Sequence, residues 1–124
     1  VPRRKLIVGR YNGAIAGTLQ VVFQPPNNEA QQNVFNIISH FVVPWARGFG
    51  LAKRMIDKAE NAGKENGANI DYLDVRETQE AAIKLFKSKG YEKWATNNYY
   101  AYVDGKNIKG YYFFKKLKWK SYPQ

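Results

Sequence analysis

The segment that most constrains the fold runs from Asn33 to Glu65, an apolar strand followed by a glycine turn and a helix. Before the turn, Val34, Phe35, Ile37, Ile38, Phe41, Val42 and Val43 are dense in β-branched and aromatic residues, which predicts a strand buried on both faces. After it, Leu51, Met55, Ile56 and Ala59 recur at helical spacing, with Lys53, Arg54, Asp57, Lys58 and Glu60 on the rest of the circumference. The turn reads Pro44-Trp45-Ala46-Arg47-Gly48-Phe49-Gly50-Leu51-Ala52. Glycine permits a tight turn and a close ligand approach, and the first helical turn offers N–H groups without intrahelical partners in a field that favours anions. The combination reads as a seat for phosphate, with a turn that binds nothing as the competing reading on these residues alone. Two familiar phosphate loops do not fit. Gly50 is followed by Leu51 and Ala52 where a P-loop needs lysine, and Lys53 stands where a dinucleotide fingerprint needs its third glycine.

A chain of 124 residues, 44% hydrophobic and 24% charged, predicts one globular domain with a single core. Twenty Lys+Arg against ten Asp+Glu give a formal charge of +10, which favours anionic ligands. Between Lys106 and Lys120 the basic residues interleave with Tyr111, Tyr112, Phe113, Phe114 and Trp119. That mixture suits nucleic acid, but lysines flanking a strand are its commoner cause, and no recognised nucleic-acid motif accompanies it. The absence of cysteine excludes disulfides, thiolate metal sites and cysteine nucleophiles, and His40, the one histidine, cannot make an imidazole zinc site alone. No metal is expected. Without a signal-peptide pattern or an apolar run long enough for a bilayer, the expectation is a cytoplasmic protein with no membrane partner.

Taken in order, Leu6-Ile7-Val8 predicts a first strand, Asn12-Gly13 a hairpin turn, and Ala14 to Phe23 a second strand with Gly17 as a bulge or close approach. Pro25-Pro26-Asn27-Asn28 ends it, and the Asn33–Val43 strand completes an antiparallel meander. The first helix is expected to reach about Ala62 and to stop on Gly63, Asn66 and Gly67. Ile70 to Val75 follows as a strand, parallel to Asn33–Val43 through a right-handed crossover. Thr78 is the expected N-cap of a second helix over residues 79–89, buried at Ala82, Leu85 and Phe86 and stopped by Gly90. Residues 91–94, 99–103 and 108–116 predict further strands, the last two joined at Asp104-Gly105. The fold class is α/β, a mixed sheet with two flanking helices.

Two blocks of residues carry a resemblance. Arg47-Gly48-Phe49-Gly50-Leu51-Ala52 resembles the Gln/Arg-x-x-Gly-x-Gly/Ala signature of the GNAT superfamily of acyl-coenzyme A N-acyltransferases, through Arg47, Gly50 and Ala52. A second block, Leu73-Asp74-Val75, Gln79-x-x-Ala82-x-x-Leu85-Phe86 and Gly90-Tyr91, is similar to the family's Asn-x-x-Ala-x-x-Leu-Tyr followed by Gly-Phe. The likeness covers nearly the whole chain. It implies a GNAT-like fold that binds acetyl-CoA, with the pyrophosphate on backbone N–H groups of Arg47, Gly48, Phe49, Gly50, Leu51 and Ala52. The pantetheine arm is expected along the backbone of Phe41 and Val43, where the strand splays from Ile70–Val75, with an N–H of Phe41 or Val42 facing the oxyanion. Gln79, Leu85 and Phe86 are expected near the cofactor.

The same resemblance marks three departures. Many relatives have a tyrosine as general acid where this chain has Phe86, so Tyr99 or one of Tyr91, Tyr100 and Tyr102 is the expected substitute, or the thiolate leaves unaided. The glutamate that some relatives carry on the central strand falls at Ile37, which leaves His40, or a water held by His40 and Ser39, as the expected base. By the resemblance, relatives begin with a strand and two helices ahead of the residues matching Leu6, so the expectation is an N-terminally truncated domain, either a shortened or proteolysed piece or a form completed by a homodimer or another chain. The function implied is acetyl transfer from acetyl-CoA to a small-molecule or peptide amine, with a noncatalytic acyl-CoA-binding domain as the alternative.

Overall fold

The computed structural model describes residues 3–25 and 29–118. Val1, the Pro26-Asn27-Asn28 part of the expected turn, and Trp119 and Lys120 of the basic tract lie outside the described residues. The elements are β1 (Arg3–Tyr11), β2 (Ala14–Phe23), β3 (Val34–Val42), α1 (Leu51–Glu65), β4 (Ile70–Arg76), α2 (Glu80–Ser88), β5 (Glu92–Val103) and β6 (Lys106–Lys116), with short 3-10 turns at Glu29–Gln31 and Pro44–Ala46. The strands form one mixed sheet in the order β1-β2-β3-β4-β6-β5. The chain divides into two compact units, one reaching to Asp71 and resuming at Lys116, the other spanning Tyr72–Lys115.

In the first unit, β1, β2 and β3 form the expected antiparallel meander, with Tyr11 opposite Ala14 across a turn whose Asn12 and Gly13 both have positive φ. Helix α1 packs on these strands. Its predicted apolar face, Leu51, Met55, Ile56 and Ala59, is buried, and beneath it lie Leu19, Val21 and Phe35, each without solvent exposure. Each such side chain contributes about 1.5–3 kcal/mol by leaving water. Gly17 is a close approach: a Cβ there would lie 2.9 Å from Met55 Sδ. Asn33 C=O, just before β3, accepts from the N–H groups of Asn69 (2.9 Å) and Ile70 (3.0 Å), just at the start of β4. The two strands therefore begin side by side, as strands joined through a helix do when parallel.

Three expectations for this unit change. Strand β3 alternates, with Phe35 and Ile37 buried and Asn36 and Ile38 half-buried, so only one of its faces is fully covered. Helix α1 runs to Glu65, and Gly63 sits inside it because Phe35 occupies the space beside it; Asn66 ends the helix, its Nδ2 donating to Ala62 C=O at 2.9 Å. Glu60, expected outside, is buried.

In the second unit, β4 alternates buried Leu73 and Val75 with exposed Asp74 and Arg76. Helix α2 buries Phe86, with ring centroids 5.9 Å from Tyr91 and 6.2 Å from Phe113, while Ala82 and Leu85 are half-buried. Its N-cap is Gln79 rather than Thr78, and Gly90, at φ 87°, follows the helix as expected. The two strands expected over 91–94 and 99–103 are one, β5, interrupted by a bulge: Asn97 pairs with Gly110 and Ala101 with Ile108, which sets Asn98, Tyr99 and Tyr100 against Lys109 alone. Asp104 and Gly105, both at positive φ, close the β5–β6 hairpin.

Candidate functional site

The site in the first unit begins with an irregularity in β3. Thr18 faces Phe41 and Gln20 faces Ile38, so Leu19 alone opposes Ser39 and His40. Ser39 takes φ 54°, the left-handed conformation that such a bulge places on its first residue, although glycine is usual there. The extra residue reverses the phase of the strand. Phe35 and Ile37 point to the helix side before it and Val42 after it, which leaves Phe41 53% exposed.

Beyond the bulge the backbone groups sort by direction. Val43 donates its N–H to Ala16 C=O on β2 at 2.8 Å, and along a strand the next group points the other way. Val42 accordingly turns its polar groups away from β2, and its C=O accepts from Arg47 Nε at 3.1 Å. This corrects the expectation of an arm bonded to Phe41 and Val43: the Val43 N–H is spent within the sheet, and Phe41, two residues earlier, shares its direction. Of the two candidates for an oxyanion donor, Val42 has the outward N–H.

After β3 the Pro44–Ala46 turn reverses the chain, with Ala46 N–H donating to Val43 C=O at 3.0 Å. Gly48 and Gly50 then adopt φ 89° and 77°, and a Cβ at either would meet no atom within 4 Å. Conformation, not space, therefore requires glycine at both. Gly50 is the N-cap of α1, no side chain caps the helix, and the first turn has no acidic residue. Leu51, Ala52 and Lys53 thus present N–H groups that the helix does not use. Arg47, Lys53 and Arg54 give this stretch of the chain a positive charge with no acidic residue in the first turn to offset it. An anion is what this arrangement holds best. Alongside, Tyr11 meets Trp45 and Phe49 at 6.0 and 4.9 Å between centroids, and the latter two remain more than half exposed as an apolar shelf.

His40 is half-buried in the bulge, and burial lowers its pKa from the ordinary 6.5, so the imidazole is neutral at pH 7. Its neighbour Ser39 is exposed. Because folded His40 takes up its proton less readily than the unfolded chain does, its contribution to stability is fully present above about pH 6.5 and is lost as the pH falls from there through the lower folded-state pKa. Thermal midpoints across pH 5–8 are expected to decline on the acid side less steeply in His40→Leu than in the parent; parallel curves would refute this.

The second unit holds the other predicted residues. Gln79 accepts from the Arg76 N–H at 3.3 Å through its side-chain oxygen, so its amide is tied to its own turn. Leu85 is half-buried and Phe86 is enclosed by Tyr91 and Phe113. Among the tyrosines considered as acids, Tyr91 is buried and Tyr99 and Tyr102 are 77% and 72% exposed. Tyr100 is held by a carboxylate: its O–H donates to Asp74 Oδ1, and burial, then that bond, raises its pKa. Asp74 had a signal in the sequence, since alternation with Leu73 and Val75 turns it outward. Tyr100 had none, because the β5 bulge sets its direction.

Among the described residues no helix is long and apolar enough to cross a membrane. The chain is 47% identical over 79 residues to an uncharacterised N-acetyltransferase in the hisH-hisA intergenic region of Azospirillum brasilense, a match covering 64% of this chain and 47% of the relative. It therefore spans about half the length of that curated relative. The fold is similar to that of an acetyltransferase of the GNAT family from Streptococcus pneumoniae, at a TM-score of 0.83 and 19% identity over 92% of this chain and 67% of the other. It is also similar to a structure from Salmonella typhimurium that was solved with its cofactor acetyl-CoA, at a TM-score of 0.79 and 17% identity over 96% and 68% of the two chains. Residues 1–91 match the acetyltransferase (GNAT) family, with both the turn and β4 inside the matched region, and the chain belongs to that family.

Proposed function

We propose that this chain serves acetyl transfer from acetyl-CoA to a primary amine by direct attack, and that Arg47–Ala52 seats the coenzyme's pyrophosphate. The observation that carries the reading is the turn itself: glycines at positive φ, helix N–H groups with no side-chain cap, and no acidic residue in the first turn. A charge-assisted hydrogen bond to a phosphate oxygen contributes about 1.5–3 kcal/mol, so a few of these N–H groups suffice for useful affinity. Trp45 and Phe49 offer an exposed apolar surface to the rest of the nucleotide.

The coenzyme supplies an activated thioester. The chain's part is to bind it and to meet the charge that develops when an amine attacks its carbonyl carbon and the C–S bond breaks. Val42 N–H, directed away from β2, is the donor best disposed for the oxyanion. Neutral His40 is a competent acceptor for the amine's proton, directly or through a water held with Ser39. Because its pKa lies below 6.5, the acid limb of the pH–rate profile is expected below that value. His40→Ala should lower kcat at least several-fold with CoA affinity nearly unchanged; equal turnover would return the histidine to a packing role.

Phe86 favours one second reading. A buried phenylalanine at the position of the usual acid suits a domain that binds acyl-CoA without turning it over. Calorimetry with CoA, followed by acetyl-CoA consumption over a panel of amines, separates the two. Binding with turnover supports transfer, and binding without turnover supports the second reading. Absence of CoA binding, with a steep loss of RNA or DNA affinity between about 50 and 200 mM salt, would refute both.

A further inference from the structure

We infer that the face of β4, β5 and β6 turned away from Leu73 and Val75 is a seat for an amino-acid zwitterion, with Asp74 receiving the ammonium, Arg76 the carboxylate and the Tyr72–Trp94 pair an apolar side chain. This rests on the transfer reading only in taking the bound amine as the acetyl acceptor. The strand supplies the spacing. Tyr72, Asp74 and Arg76 are alternate residues of β4 and so share one face, with neighbouring side chains about 7 Å apart. That span matches an ammonium and a carboxylate on one carbon together with their hydrogen bonds to the protein.

Around this row the rings form a connected wall. Tyr72 meets Trp94 edge-on at 6.1 Å, Trp94 meets Tyr112 at 5.9 Å, and Tyr112 meets Tyr100 edge-on at 6.1 Å. Trp94 is nevertheless 57% exposed, so the wall is open to a ligand. Aromatic faces attract ammonium groups as well as apolar side chains. The β5 bulge sets one end of the wall. Tyr100 lies over Gly110, where a Cβ would come within 2.1 Å of its ring, and from there its O–H reaches Asp74. Asn97 donates to the Tyr112 hydroxyl at 3.3 Å and holds that ring in turn. Tyr100 uses one acceptor position of Asp74, while an ionised carboxylate offers about four, which leaves capacity for an ammonium.

Charge decides against the other occupants of an aromatic surface. Asp74 repels the phosphates of nucleic acid, and Arg76 in a chain of formal charge +10 repels a polycation. A ligand with one positive and one negative group answers both residues.

Calorimetry on the full chain tests the seat with L-phenylalanine and L-leucine, their decarboxylated amines and their deaminated acids. The amino acids are expected to bind at least tenfold more tightly than either set of analogues. Asp74→Asn, Arg76→Gln and Trp94→Ala should each weaken amino-acid binding tenfold or more, with CoA affinity unchanged as the control for folding. Absence of amino-acid binding, analogues that bind equally well, or affinities unaffected by both Asp74→Asn and Arg76→Gln would overturn the proposal. Amino-acid binding that depends on Asp74, without acetyl-CoA turnover, leaves the seat standing and removes the transfer reading. Amine acetylation that proceeds unchanged in Asp74→Asn does the reverse.

Discussion

Replacing Gly50 by valine will weaken CoA binding about a hundredfold or more and leave the fold intact. Gly50 sits at φ 77°, where a β-branched residue is a steric outlier and an L-residue pays about 1–2 kcal/mol. The chain relieves that strain most readily by rotating the peptide planes on either side of residue 50, and those planes belong to the N–H cradle at the start of α1. Two lost charge-assisted bonds correspond to roughly 3 kcal/mol, which is about two orders of magnitude in affinity. The fold is insulated because a Cβ at Gly50 meets nothing within 4 Å. Calorimetry should show the loss while far-ultraviolet circular dichroism and the thermal midpoint change little; unchanged CoA affinity would remove the turn from the site.

The turn was legible in the sequence because its determinant is local. Two glycines and the start of an amphipathic helix state both the backbone conformation and the free N–H groups. The same locality made the Asn12-Gly13 and Asp104-Gly105 hairpins readable, since both residues of each pair accept positive φ. The direction of the strand leading into the turn was not readable. Ser39 adopts a left-handed conformation with no glycine or asparagine to announce it, and the one-residue slip it introduces decides whether Val42 or its neighbours face away from β2. The bulge at Asn98–Tyr100 hid the Asp74–Tyr100 contact for the same reason. Thr78 failed as an N-cap for a different cause: Gln79 reaches the Arg76 N–H from the next position and sets the turn itself.

Gly63 shows how a glycine can be misread. Its closeness to Asn66 and Gly67 makes it look like part of a helix stop, yet it lies within α1 and serves packing. A Cβ at this position would stand 2.3 Å from Phe35 Cε1 and 2.4 Å from its Cζ, and Phe35 is completely buried between strand and helix. In an exposed helix, glycine to alanine gains about 1 kcal/mol. Here the ring has no room to retreat, and overpacking of this kind costs about 1–3 kcal/mol, with more when the backbone must shift. Gly63→Ala is therefore expected to lower stability by about 1–2 kcal/mol, against its helix propensity, with a fall in urea midpoint at constant slope. The cause is separable from other effects of the substitution. Phe35→Leu opens space at that point and costs stability by itself, so the double variant Phe35→Leu with Gly63→Ala should be more stable than the sum of the single losses by about 1 kcal/mol or more. Strict additivity in that cycle would show that Phe35 is not what holds position 63 to glycine.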